Sequence, residues 1–316
     1  MTELARTAPA PEAAPARPAS APAPAPAPQA WTRDRVENLV FGVLRWVVIA
    51  VLVVVTLLPF YYTVVLSVRR LDELVQRPAL LWPGSFDLST YVSVLASPDA
   101  GGQGFLVFLR NSAVIALLTV AFTLLAAIPG AYAISRLEFF GRRQVSALFL
   151  AVYLFPAILL AVPLFVFFSA VGLRGSLVGL LVVYVAQTVP ISIYMLRNYF
   201  ETVPVSLEEA AAIDGASRWT IMRRIALPLA MPAVVSNALY VFMIAWNEFL
   251  FALLFLAEDR PRWTVSLGLS QLAGSIEIPT TVLMAGSVLL TLPIVILFFL
   301  AERLLVEGLT SGAEKG

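Results

Sequence analysis

Two kinds of acidic position in this chain could do chemistry. Glu208 and Glu209 open the run Glu208-Glu209-Ala210-Ala211-Ala212-Ile213-Asp214-Gly215, which is followed at a distance by Ile225-Ala226-Leu227-Pro228. Glu248 stands between two long apolar runs. Neither arrangement is a catalytic constellation. The chain contains no His and no Cys, which excludes triads that need His, thiol chemistry, disulfides, Cys/His zinc sites and haem ligation by His. Its one lysine is Lys315, and no G-x-x-x-x-G-K-[ST] sequence occurs, so the chain is not by itself a conventional ATPase. Acid–base chemistry by Asp, Glu or Ser stays open, beside the roles of gripping: capping backbone amides, pairing with a cation, or meeting a partner.

The first group implies a particular local shape. Pro204 marks the approach, and Ser206 with Glu209 three residues on has the spacing of a capping box. Leu207 to Ile213 is rich in Ala and Glu and should wind well. Gly215 can adopt the left-handed conformation that stops a helix. Ser217 can cap a second helix, which Pro228 would break or kink. The expectation is two short helices joined at a sharp corner. The plainest alternative is a surface helix whose Glu209 caps only its own backbone.

The elements around this corner are apolar. The chain has 316 residues, 60% hydrophobic and 13% charged, with a mean hydropathy of +0.88. Soluble domains carry about 25% charged residues, so this is an integral membrane protein. Six stretches free of Asp, Glu, Lys and Arg are long enough to cross a bilayer, which takes about 20 residues. They are Trp46–Val68, Asn111–Ser135, Gln144–Leu173, Gly175–Leu196, Ile225–Asn247 and Ile278–Ala301. Residues 1–34, mostly Ala and Pro, have little to bury and are expected to be a disordered, partly polyproline-like cytoplasmic tail. They lack the apolar core of a signal peptide. Residues 35–316 are then the membrane domain, with a core over about 105–305 and the polar loop over about 200–228.

Basic residues set an expected orientation. With the amino terminus inside, the inner segments hold 14 basic residues and the outer segments 7. Both termini and the Glu209 loop are therefore expected in the cytoplasm. The outer segment Arg69 to Arg110 either meets an extracytoplasmic partner or caps its own helices. Arg262 to Glu277 is too short to span, and reads as an outer-side or re-entrant piece.

The spacing E-A-A, three residues, G, nine residues, I, one residue, L-P resembles the EAA loop of ABC importer permeases. Three further pieces are similar to sugar permeases of that class. They are Trp246-Asn247-Glu248-Phe249-Leu250, the segment Trp263 to Leu269, and Gly308-Leu309-Thr310-Ser311-Gly312-Ala313-Glu314-Lys315-Gly316. The last resembles the tail of the smaller permease of maltose- and trehalose-type importers. Ser266 stands where that family usually has Pro. The resemblance runs from about Asn111 to Gly316.

It implies an all-α integral membrane fold of type I permease architecture, with six transmembrane helices and a cytoplasmic coupling-helix loop. It implies ATPase-coupling roles for Glu208, Glu209, Ala210, Ala211, Asp214, Gly215, Ala216, Ile225, Leu227 and Pro228. It also implies a homologous second permease, two ATPase subunits and an extracytoplasmic sugar-binding protein as partners, in the cytoplasmic (inner) membrane. No cofactor is expected in this chain, and ATP and Mg belong to the partner ATPase. A charge at mid-bilayer is costly, so an intramembrane acid usually faces a cavity or a partner. Glu248, Asn247, Asn237, Gln187 and Trp246 are accordingly candidates for the substrate pathway, although polar residues in spans more often bond neighbouring helices. Tyr153 is a second candidate for stacking on a sugar. The competing classes are an importer of a non-sugar solute, an ion-coupled secondary transporter, and a membrane enzyme acting on lipid. The second would need several embedded ionisable groups, where only Glu248 qualifies.

Overall fold

The computed structural model describes the backbone over residues 33–77 and 80–313, with side chains from residue 37 to residue 302. The Ala/Pro tail up to residue 32, the side chains of the Gly308 segment and Lys315 lie outside the described residues. The chain divides into two compact units, residues 1–57 and 58–316. The described part of the first belongs to one apolar helix, α1 (Arg33–Ser67), which runs on into the second unit.

Nearly all the described residues outside the connecting loops are helical. After α1 come α2 (Leu71–Gln76), α3 (Ser89–Leu95), α4 (Phe105–Arg136), α5 (Arg142–Leu154), α6 (Ala157–Ala170) and α7 (Leu177–Phe200). Next are α8 (Val205–Ile213), α9 (Arg218–Ile221), a π turn over Met222–Ala226, α10 (Leu227–Leu229) and α11 (Met231–Asn247). The chain closes with α12 (Leu250–Leu256), α13 (Val265–Ala273) and α14 (Thr280–Ala313).

Among the described residues, four helices are each long and apolar enough to cross a bilayer: α1, α4, α7 and α14. The expected third and fifth spans are bent pairs. α5 and α6 meet at 91°, and the helical run Arg218–Leu229 meets α11 at 78°. The spans number six if each bent pair is one span.

The prolines explain one break directly. Pro156 sits at the amino-terminal cap of α6 and lacks the amide needed to continue α5. Pro129, Pro163, Pro190 and Pro293, by contrast, each lie inside a continuous helix. Near the second bend, Pro228 and Pro232 remove the donors that would reach the carbonyls of Arg224 and Pro228. The ladder responds by widening into the π turn before Pro228 and by turning at Ala230.

Two apolar clusters hold the second unit. One gathers Phe105, Phe108, Phe168, Phe251, Phe255 and Trp246 from several helices. Its fit is tight: a Cβ on Gly268 of α13 would overlap the Phe108 ring. The other gathers Ala127, Ala131 and Tyr132 of α4, Leu196 and Phe200 of α7, and Met222, Ala226 and Ala230 of the bent run. Small residues there let backbones approach closely, as membrane helices do. A buried hydrogen bond between Thr123 of α4 and Thr188 of α7, 2.7 Å long, adds a polar link.

The segment Arg69 to Arg110 folds on itself. Arg69 is fully buried, and its guanidinium donates to the carbonyls of Arg77 (2.8 Å), Glu73 and Leu80. Glu73 accepts from the amide of Gly84 (2.8 Å) and the hydroxyl of Ser85 (2.9 Å). These bonds, that of Gly84 above all, hold its carboxyl below the ordinary carboxylate range. The piece expected to be outer-side or re-entrant forms α13, too short to span, capped by Thr264. It is tied to α4, where Asn111 donates to the carbonyls of Pro261 (2.9 Å) and Trp263 (3.0 Å).

Candidate functional site

The corner foreseen around Gly215 is present, and its carbonyls and amides account for it. The amide of Gly215 bonds the carbonyl of Ala212 at 3.1 Å, and that of Ala216 bonds the carbonyl of Ala211 at 3.0 Å. These are the two bonds of a Schellman motif. Gly215 stands at φ +81°, in the left-handed region, and Asp214 is the C-cap of α8. Ser217 caps α9 by accepting from the amide of Thr220. One detail differs from expectation. α8 begins at Val205 behind Pro204, so Ser206 lies inside the helix and no capping box forms with Glu209. The rigid φ of Pro204, the N-cap, starts the helix two residues too early for the serine to cap it.

The two glutamates take opposite roles. Glu209 is exposed. Glu208 is buried at 3% exposure and faces the end of α4. Its Oε1 accepts from Nε of Arg136 at 2.7 Å, and its Oε2 from the Tyr132 hydroxyl at 2.8 Å. A second guanidinium nitrogen of Arg136 donates to the carbonyl of Val203, just before α8, at 2.7 Å. One arginine thus grips both the helix and its lead-in segment. The ion pair is nearly sealed from solvent, with side-chain exposures of 8% and 4%. A charge-assisted pair of this kind is short and stronger than a neutral one. Below it, Tyr132 packs edge-on against Phe200, with ring centres 5.8 Å apart.

The outer face of the elbow is different. Ile213 is 86% exposed and Trp219 63% exposed. They flank Glu209, Ala210, Asp214 and Gly215, all of which are exposed as well. Within the π turn Ile225 is half-buried, and just after it Leu227 is half-buried and Pro228 exposed. The residues singled out in sequence are therefore one structure: a polar inner clamp and a projecting outer face with apolar points.

The second group does not converge. Trp246 is buried, stacks on Phe242 and donates its indole N–H to the carbonyl of Leu290 in α14 at 2.9 Å. Asn247 bonds back to the carbonyl of Met243 in its own helix. Glu248 caps α12, accepting from the amides of Phe251 (2.8 Å) and Ala252 (3.1 Å) and from the Tyr184 hydroxyl (2.5 Å). Its backbone carbonyl accepts from Ser266 at 2.6 Å. Asn237 is fully buried and reaches the sulfur of Met195 at 3.6 Å, leaving Oδ1 without a partner among the described residues. Only Gln187 and Tyr153 face a common space, a cavity of about 500 Å³ between the bent α5–α6 pair, α7 and α11. The Nε2 of Gln187 is buried there and has no partner among the described residues.

Comparison with known proteins reads this arrangement. Residues 119–310 match the family of binding-protein-dependent transport system inner membrane components. The chain belongs to that family. Its relatives are ABC permeases. The inner membrane ABC transporter permease protein YcjP of Escherichia coli is 37% identical over 85% of this chain and 94% of its own length. The trehalose/maltose transport system permease protein MalG of Thermococcus litoralis is 40% identical over 83% of this chain and 93% of its own. The trehalose transport system permease protein SugB of Mycobacterium tuberculosis is 34% identical over 86% and 97%. The fold is similar to that of a chain of a bacterial ABC transporter involved in the import of the acidic polysaccharide alginate, at a TM-score of 0.74 and 24% identity, covering 87% of this chain and 99% of that one.

The residues missed in sequence are Tyr132 and Arg136. Arg136 counted there only as one more positive charge near a span end. Nothing local connects it to a glutamate 72 positions later; only the packing of α4 on α7 and the bent run does so.

Proposed function

We propose that this chain is the permease subunit of an ATP-driven ABC importer that carries a sugar, of the maltose- or trehalose-type oligosaccharide class, across the cytoplasmic membrane. The named transport systems of its relatives in Thermococcus litoralis and Mycobacterium tuberculosis support the sugar class. Its partners are a second, homologous permease, two ATPase subunits that bind ATP and Mg, and an extracytoplasmic sugar-binding protein. Both termini lie in the cytoplasm on the basic-residue count. ATP hydrolysis takes place in the partner and not in this chain.

The observation that carries the reading is the elbow. Two short helices project exposed side chains, Glu209 and Ile213 on α8 and Trp219 on α9, while Glu208 anchors the inner side of α8 to a span. A part that is free outside and locked inside is suited to transmit a push. Closure of the ATPases on ATP would move α8. The Glu208–Arg136 lock would pass the motion to α4, and the run Arg218–Leu229 would pass it to α11. ATP binding then biases one of two states of the pathway, and hydrolysis removes the bias. The test is uptake of labelled maltose and trehalose by vesicles containing the four-subunit complex and the binding protein. Uptake that requires internal ATP and the binding protein supports the reading. Uptake driven by an ion gradient without ATP overturns it.

A further inference from the structure

A separate cavity lies beside the elbow and has no part in the coupling just described. It has a volume of about 430 Å³ and sits between the start of α5, the end of α7 and α4. Three arginines line it: Arg142 and Arg143 in the first turn of α5, and Arg197 in the last turn of α7. Ile134 and Leu150 form an apolar wall.

The charges do not balance. Arg197 is answered by Glu201, at 2.9 Å, and also bonds Ser146. Arg142 donates one bond to a neutral carbonyl, that of Ser135, at 3.1 Å. Arg143 is exposed and makes no bond with the described residues. Two cations thus remain uncompensated at the amino-terminal end of a helix, where the backbone dipole is itself positive and favours an anion. The cap residue there, Gly141, supplies no side-chain acceptor. Arginine forks suit phosphate oxygens. The position is the end of α4, α5 and α7 nearest the elbow, where the apolar spans give way to polar segments. An occupant needs a phosphate for the arginines and a hydrocarbon part for the wall.

We infer that this cavity binds the headgroup of an anionic phospholipid, with its phosphate between Arg142 and Arg143 and its acyl chains leaving past Leu150. Free phosphate offers the same anion without the hydrocarbon, and the test separates the two. The full chain is purified in detergent and titrated with phosphatidylglycerol, phosphatidylcholine or inorganic phosphate, and retained ligand is counted by native mass spectrometry. The expected result is one phosphatidylglycerol held per chain in preference to phosphatidylcholine. Replacing both arginines, R142Q with R143Q, should weaken it roughly thirtyfold, taking about one lipid-attracting charge per arginine. Arg143→Gln alone should weaken it by roughly fivefold; this side chain is exposed and unbonded, so folding does not depend on it. Arg143→Lys should restore most of the binding. Arg77→Gln, at an exposed arginine of the loop between α2 and α3, should change nothing. Equal retention of the two lipids, retention unchanged in R143Q, an equal loss in R77Q, or displacement of lipid by inorganic phosphate would each overturn the inference.

Discussion

Glu208→Gln is the change that interrogates the coupling geometry most sharply. The two side chains are nearly the same size, so the elbow keeps its packing. The amide can still accept from Tyr132, but the Arg136 guanidinium loses its only carboxylate partner among the described residues while remaining 8% exposed. Breaking a buried ion pair by removing one partner costs about 3–5 kcal/mol, because an uncompensated charge stays behind. Arg136 keeps its bond to the Val203 carbonyl, which places the expected loss near the lower end, at about 3 kcal/mol. That is more than a hundredfold in the equilibrium between a docked and a loosened α8. The consequence should be uncoupling. In the reconstituted complex, ATP hydrolysis should continue while sugar moved per ATP falls at least tenfold. Removing both charges, with Glu208→Gln and Arg136→Met together, should recover part of the stability lost in E208Q, since neither charge is then left alone. A double-mutant cycle on thermal unfolding should give a coupling of about 2–3 kcal/mol between the two positions. The reasoning is refuted if E208Q melts as the parent does and moves as much sugar per ATP.

Three other outcomes follow from the same structure. Gly215→Trp should insert and fold, because a Cβ at that position meets no atom within 4 Å. The φ of +81° adds local backbone strain at the corner, and uptake should be abolished because the ring would cover the projecting face; uptake measured against membrane abundance decides this. Gly268→Ala should lower stability by about 1–3 kcal/mol through overlap with Phe108, seen as a lower melting temperature and relieved by Phe108→Leu. Glu248→Ala should leave the amides of Phe251 and Ala252 and the Tyr184 hydroxyl without their acceptor, at about 1–3 kcal/mol for each buried group left unpaired. Its signature is lower thermal stability, with the apparent affinity for sugar unchanged in whatever protein remains folded.

The elbow was legible in the sequence because its determinants are local. Gly215, Ser217 and the Ala-rich run act on their own neighbours, and the Schellman bonds and the Ser217 cap require nothing from elsewhere. Long uncharged stretches likewise declare spans, since apolar length is a one-dimensional property. Ser206 was misjudged by local rules too, because Pro204 started α8 before the serine could cap it. The bend at Ala230 hid behind an unbroken apolar run. Two prolines four residues apart were the available signal, and composition alone could not separate a kink from a turn of 78°. The least legible feature was the partner of each polar group. Trp246 and Glu248 are pathway candidates because they are polar or aromatic in an apolar setting, and the sequence does not show what each one bonds. In the fold, Trp246 spends its N–H on α14 and Glu248 caps α12. Such pairings depend on which helices meet, and that is decided by three-dimensional packing.

The central claim is that a projecting corner of this chain receives force from an ATP-binding companion. Because the chain has no native cysteine, a single Ile213→Cys is its only thiol, at a site 86% exposed. Treating membranes that contain the whole complex with a short thiol-directed cross-linker should join this chain to the ATPase subunit, and adding ATP should change the yield. A cross-link to no nucleotide-binding protein, or labelling of that cysteine only by reagents confined to the outside of the membrane, would contradict the account.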